Sequence, residues 1–162
     1  MKLERIREEG KLRKLLNEEQ KAIYPFLFPL QLEKWIREEE EPYAPLTYVL
    51  LNEQEIIGGS VVRIQDFIDR SRIILELDAF WIREDCRGKG IGTQFLQEIL
   101  QICYSYYQKF GLEPEAMIIE TVTAKMFYQK ALKRIQKQLQ IEFKEVHLGK
   151  IDVFVVSFKR DF

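Results

Sequence analysis

A hexapeptide near the middle of the chain, Arg87-Gly88-Lys89-Gly90-Ile91-Gly92, constrains the fold more than any other stretch. It follows Ile73 to Ile82, an apolar segment with acids at alternate positions, as in a strand. It precedes Ile91 to Tyr107, where Ile91, Phe95, Leu96, Ile99, Leu100, Cys103 and Tyr107 recur at helical spacing. A strand that feeds a helix through a glycine-rich bend is an α/β element. The glycines remove side chains where backbone amides converge, and the helix start adds unpaired N–H groups and the positive end of its dipole. Arg87 and Lys89 contribute formal charge, so the loop reads as a phosphate-binding bend.

Other phosphate loops fit poorly. No Gly-x-x-x-x-Gly-Lys-Ser/Thr string occurs, and the spacing here is Gly-x-Gly-x-Gly rather than Gly-x-Gly-x-x-Gly. The string does resemble the Arg/Gln-x-x-Gly-x-Gly/Ala signature of the GNAT family of N-acetyltransferases, and the fit extends to Arg-Gly-Lys-Gly-Ile-Gly-Thr before a helix. A second string, Ala124-Lys125-Met126-Phe127-Tyr128-Gln129-Lys130, resembles the family's Ala-x-x-x-Tyr-x-Lys segment. The resemblance is specific from about Ile73 to Lys130 and rests elsewhere on element order.

Composition narrows the function classes. At 162 residues, 46% hydrophobic, the chain is expected to form one domain over residues 1–162 with a sizeable core. Its 25 basic and 26 acidic side chains nearly cancel, which argues against nucleic acid or a membrane surface as partner. Cys86, Cys103 and His147 lack metal-ligand spacing, so no metal is expected, and two unpatterned cysteines fit a reducing compartment. The charged amino terminus lacks a signal-peptide core and no apolar run reaches membrane-spanning length, which makes the cytoplasm the expected location.

The elements expected along the chain are a strand Lys2 to Ile6, an amphipathic helix from about Arg7 to Ile23, and a second helix Leu30 to Glu39. Strands Leu46 to Leu51 and Glu55 to Ile64 form a hairpin, followed by the strand before the loop, Arg72 to Ile82. After the glycine loop come helix Ile91 to Tyr107, strand Ala116 to Thr121, helix Ala124 to about Gln138, and a hairpin of Ile141 to Leu148 with Ile151 to Phe158 across Gly149-Lys150. This order matches the GNAT-like fold, which implies a twisted, mixed, mostly antiparallel sheet with helices on both faces.

Glu76, Asp78 and Phe80 share one face of their strand, and Leu75, Leu77 and Ala79 the other. On a solvated face two carboxylates mean nothing, but the carboxyl end of this strand leads straight into the phosphate loop. Acyl transfer to an amine needs a base for an ammonium of ordinary pKa about 10.4, a role for a carboxylate acting directly or through water. In the histone-modifying branch of the family the basic glutamate lies eleven residues before the first signature residue, the position of Glu76 here; Asp78 stays open as the alternative.

The resemblance further implies acetyl-coenzyme A as co-substrate, its pyrophosphate held by Arg87, Gly88, Lys89, Gly90, Ile91, Gly92 and Thr93. A bulge at Phe80, Trp81 and Ile82 is implied to turn the Phe80 N–H toward the thioester carbonyl and to pair Ile82 with the pantetheine arm. Tyr128 falls where many members keep a tyrosine beside the coenzyme sulfur. Tyr128 also belongs to the apolar stripe Ala124, Phe127, Ala131, Leu132 and Ile135, so both a thiolate-protonating and a core role stand. Tyr24 and Phe28 fall where the family's first two helices wall the acceptor site, and a core role is equally open.

Two positions depart from the family. Leu132-Lys133 replace a common Gly-Phe, so the helix is expected to run on, and Thr121 replaces a common asparagine. The strand Asp152 to Phe158 offers an apolar surface for a homodimer. The expected activity is acetyl-coenzyme A-dependent N-acetylation of a small-molecule or peptide amine by direct attack in a ternary complex. The alternatives are a non-catalytic acyl-coenzyme A sensor or assembly module, which would dispense with the acids, and a nucleotide-dependent enzyme, which would prefer ATP.

Overall fold

Alternating burial along the strands shows how the sequence pattern becomes a sheet. The computed structural model describes residues 1–7, 11, 14–15, 41–159 and 162. The strands are β1 (Lys2–Ile6), β2 (Leu46–Asn52), β3 (Glu55–Phe67), β4 (Arg72–Ile82), β5 (Glu113–Thr121), β6 (Ile141–Leu148) and β7 (Ile151–Phe158). They form one seven-stranded sheet in the order β1-β2-β3-β4-β5-β7-β6. Two helices are described, α1 (Ile91–Gln108) and α2 (Lys125–Ile135). The chain divides into two compact units, Met1–Arg63 with Asp78–Gly88 and Ile64–Leu77 with Lys89–Phe162, so that β3 and β4 each contribute to both.

In the first unit, β1 lies antiparallel to β2, from Lys2↔Leu51 to Ile6↔Thr47. β2 and β3 form the expected hairpin, closed at Asn52↔Glu55 with a register shift between Leu50 and Leu51. Glu53 takes the left-handed conformation, φ 58°, that this tight turn demands. Leu46, Val49, Ile56, Ile57 and Val61 are buried as the core of this unit. After β4 the chain makes a short 3₁₀ turn, Glu84–Cys86, before the glycine loop.

In the second unit, β4 runs parallel to β5, β5 antiparallel to β7, and β7 antiparallel to β6. The registers align Leu75, Met117 and Val156 in one row and Leu77, Ile119 and Phe154 in the next, and all six are buried. Both helices cover this face: Tyr104 of α1 meets Phe158 at 5.3 Å between ring centroids, and Tyr128 of α2 meets Phe154 at 5.7 Å. The α1 stripe read from the sequence is the packed one, with Phe95, Leu96, Ile99, Leu100, Cys103 and Tyr107 all buried. The β4–β5 ladder ends at Leu77↔Ile119, although β4 continues to Ile82.

Several expectations need adjusting. β3 and β5 extend beyond the expected segments, and α2 stops at Ile135, where i→i+3 bonds from Lys137 to Arg134 and Gln138 to Ile135 tighten the last turn. The strand offered for a homodimer, Asp152 to Phe158, is an interior strand between β5 and β6, because the closing hairpin places β6 outside it. The helices expected over Arg7 to Ile23 and Leu30 to Glu39, with Tyr24 and Phe28, lie almost wholly outside the described residues. Among the described residues no helix is long and apolar enough to cross a membrane.

Candidate functional site

β4 carries its acids as the alternation requires. Ile73, Leu75 and Leu77 are buried, whereas Glu76, on the opposite face, is half-buried. Asp78 belongs to the first unit, where its Oδ2 lies 2.7 Å from Nε of Arg63. Sequence reasoning missed this ion pair, since nothing in either residue's neighbourhood names the other. Phe80 and Trp81 are half-buried and Ile82 is buried. Burial thus moves from odd to even positions between Leu77 and Ile82.

The same unit holds the start of the loop. Arg87 Nε donates a 2.8 Å hydrogen bond to the Ile82 carbonyl, tying the bend back to the end of β4. Arg83 bonds Asp85 at 2.6 Å and Glu55 at 2.9 Å, contacts that raise its pKa and lower that of Asp85. Cys86 is a buried free thiol with its Sγ 3.6 Å from Asp85 Oδ1. Gly88 has φ +80°, a conformation other L-residues rarely adopt.

In the second unit Gly90, also at φ +80°, is the N-cap of α1. The first helical bond runs from Gln94 N–H to the Gly90 carbonyl, 3.1 Å. Helix geometry therefore gives the N–H groups of Ile91, Gly92 and Thr93 no acceptor within α1. Among the described residues no side chain caps them, and no acid stands in the first turn to compensate the positive end of the dipole. Among the described residues a Cβ built on Gly88 or Gly90 meets nothing within 4 Å. Lys89 lies between the two glycines. A surface groove of about 420 Å³ opens beside Gly90 and Thr93, lined further by Gln97, Gln101, Arg134 and Gln138. Sequence reasoning missed it because its lining comes from two helices.

Tyr128 of α2 is buried and packs against Phe127 at 5.1 Å and Phe154 at 5.7 Å, and burial pushes its hydroxyl pKa up. Thr121 accepts a 2.9 Å hydrogen bond from the Ala124 N–H, so its hydroxyl closes the turn that leads into α2 at the position where asparagine is common. Across the closing hairpin, His147 Nδ1 lies 2.5 Å from Asp152 Oδ1, and Gln129 donates to Glu145 at 2.9 Å. Among the described residues no group of three or more His, Cys, Asp or Glu side chains is placed to hold a metal ion.

Comparison with known proteins gives a family and a set of similar folds. A model of the Acetyltransferase (GNAT) family matches residues 10–132. No curated protein sequence matches the chain. Among solved structures, Arabidopsis thaliana NAA60 in complex with a bisubstrate analogue superposes with a TM-score of 0.61 at 11% identity, covering 97% of this chain and 96% of that one. The same plant protein has also been solved with acetyl-CoA, at TM-score 0.59 and 12% identity over 99% of both chains. An aminoglycoside acetyltransferase from an uncultured soil metagenomic sample, in complex with sisomicin, gives 0.58 at 16% identity over 91% of this chain and 93% of that one. At these identities the superpositions speak for the fold, while the family match spans most of the sequence and includes the glycine loop and the α2 segment. The chain therefore belongs to the GNAT family of acetyltransferases.

Proposed function

We propose that this chain transfers an acetyl group from acetyl-coenzyme A to a primary amine of a small molecule or peptide, by direct attack in a ternary complex. The observation that carries the reading is the start of α1: two left-handed glycines, an uncapped helix end without a first-turn acid, and Arg87 and Lys89 beside them. Such an end favours a diphosphate. The residues from Arg87 to Thr93 bind it through main-chain nitrogens, and the Arg87 tie to Ile82 sets the loop against the end of β4.

Glu76 takes the proton of the amine, with Asp78 as the second candidate. The Phe80 N–H steadies the oxyanion of the tetrahedral intermediate, a contribution of about 2.7 to 4 kcal/mol for one such donor. The change from odd to even burial between Leu77 and Ile82 supports the bulge that would aim this group. Trp81 and Ile82 line the acyl arm beside it, with the Ile82 carbonyl already engaged by Arg87. A thiol of ordinary pKa about 8.5 is a fair leaving group, so Tyr128, whose raised pKa makes it a reluctant acid, serves as a hydrogen-bond donor to the departing sulfur. Tyr24 and Phe28 are proposed to wall the acceptor. The chain acts as one domain, in the cytoplasm and without a metal.

Similar proteins bound to acetyl-CoA and to the aminoglycoside sisomicin support a coenzyme donor and an amine acceptor. The test is a thermal-shift comparison of acetyl-coenzyme A with ATP, followed by an amine library read by coenzyme release. Acetyl-coenzyme A should raise the melting temperature and some amine should release thiol. Stabilisation by ATP alone would replace the reading with a nucleotide-dependent enzyme, and coenzyme binding without turnover on any amine would replace it with a sensor.

A further inference from the structure

The outer edge of β6 carries a pattern of its own. β6 ends the sheet order, and among the described residues no strand pairs with its outer side. Gly149-Lys150 closes its hairpin as a two-residue turn, with positive φ at Gly149 but not at Lys150. In such a hairpin the closing pair, Leu148↔Ile151, exchanges its backbone bonds. Because bonded and non-bonded positions alternate, Lys144 and Glu142 also turn their backbone groups toward β7. Phe143 and Glu145 turn theirs outward, where another strand can meet them.

A second copy related by a two-fold axis perpendicular to the sheet keeps each residue on its own face, so an antiparallel pairing must centre on a single residue. Centring on Lys144 sets lysine against lysine, and centring on Glu142 or Glu145 sets acid against acid. Centring on Phe143 stacks Phe143 on its copy and places Glu142 opposite Lys144 twice, in the closely spaced non-bonded positions where cross-strand side chains approach best. We propose that this chain dimerises through β6, antiparallel and in the register centred on Phe143, joining two sheets edge to edge.

Charge complementarity selects this occupant. A lone edge lysine opposes strand addition, but here each copy supplies the glutamate that neutralises it. Glu142 is accessible for the contact: its side chain is 72% exposed, with Lys159 Nζ 3.2 Å from its Oε1 at the rim of the same hairpin. A strand-to-strand contact of this length is smaller than a standard interface, so the dimer forms as a concentration-dependent equilibrium.

Sedimentation velocity on the full chain over a concentration series tests this. Wild type should show a monomer–dimer equilibrium. Lys144→Glu and Glu142→Lys should each weaken it about tenfold or more by turning both attractions into repulsions. The double exchange, Glu142→Lys with Lys144→Glu, should restore it. Circular dichroism and a thermal melt on each variant separate a lost interface from a lost fold. A monomer at every concentration, a dimer indifferent to the single reversals, or a folded double variant that stays monomeric would each overturn the proposal.

Discussion

Arg63 Nε sits 2.7 Å from Asp78 Oδ2, an ion pair that ties β4 to β3 within the first unit. Asp78 is held by this ion pair, and Glu76, proposed as the base, stands half-buried two positions earlier along β4. Both side chains of the pair remain partly open to water, so its contribution to stability is about 1 kcal/mol at most.

The two acids should therefore answer differently to neutralisation. Glu76→Gln is expected to lower kcat by about 10² to 10⁴, the range for a positioned general base, and to leave acetyl-coenzyme A affinity intact. Asp78→Asn should lose less than about tenfold in kcat and slightly lower the melting temperature. Steady-state kinetics with calorimetric binding decides; the reverse ranking would move the base to Asp78.

Gly90→Ala isolates the backbone contribution at the helix start. Among the described residues no atom stands within 4 Å of the added Cβ, so the expected cost is that of φ +80°, about 1 to 2 kcal/mol. If the loop relaxes to avoid it, the amides no longer converge. We expect a modest fall in melting temperature and a smaller stabilisation by acetyl-coenzyme A; a full wild-type shift would show that this conformation does not matter for binding.

In the proposed coenzyme site Arg87 would act through geometry as well as charge, since its Nε donates to the Ile82 carbonyl at 2.8 Å. Arg87→Lys keeps the charge and loses the fork, so it should recover only part of the affinity lost in Arg87→Ala. Titration of acetyl-coenzyme A against the three proteins ranks them. Equal affinity for lysine and arginine would reduce the role to a point charge.

Alkaline pH should destabilise the protein in two steps. Burial raises Cys103 and Tyr128 above their ordinary values of 9.0 and 10.0. Above those values the unfolded chain releases protons that the folded chain retains, so stability present below them falls as pH rises. Each group adds a slope of about 1.4 kcal/mol per pH unit until its folded-state pKa is reached. Thermal melts should decline from near pH 9, more steeply past pH 10, and Tyr128→Phe should flatten the second part. An unchanged slope in that variant would mean that Tyr128 does not retain its proton.

Much of the fold was legible because the signals are short-ranged. The β6–β7 turn is set by Gly149, the β4 face by strict alternation through Leu77, and the α1 stripe by periodicity within eighteen residues. The end of α2 was misplaced because helical pattern continues past Ile135 while i→i+3 bonds close the helix. Thr121 looked like a departure from the family, yet a hydroxyl satisfies the Ala124 N–H at the entry to α2.

The sequence by itself determined the glycine bend, the two carboxylates on one face of β4 and the order of the elements, since each depends on backbone conformations of residues close along the chain. Only the tertiary structure decided that Asp78 answers to Arg63, that Arg87 reaches back to Ile82, and that β7 lies inside while β6 forms the edge. Those outcomes follow from strand pairing and packing between distant segments, where many partners are chemically acceptable and the one that forms is the one the sheet brings within reach.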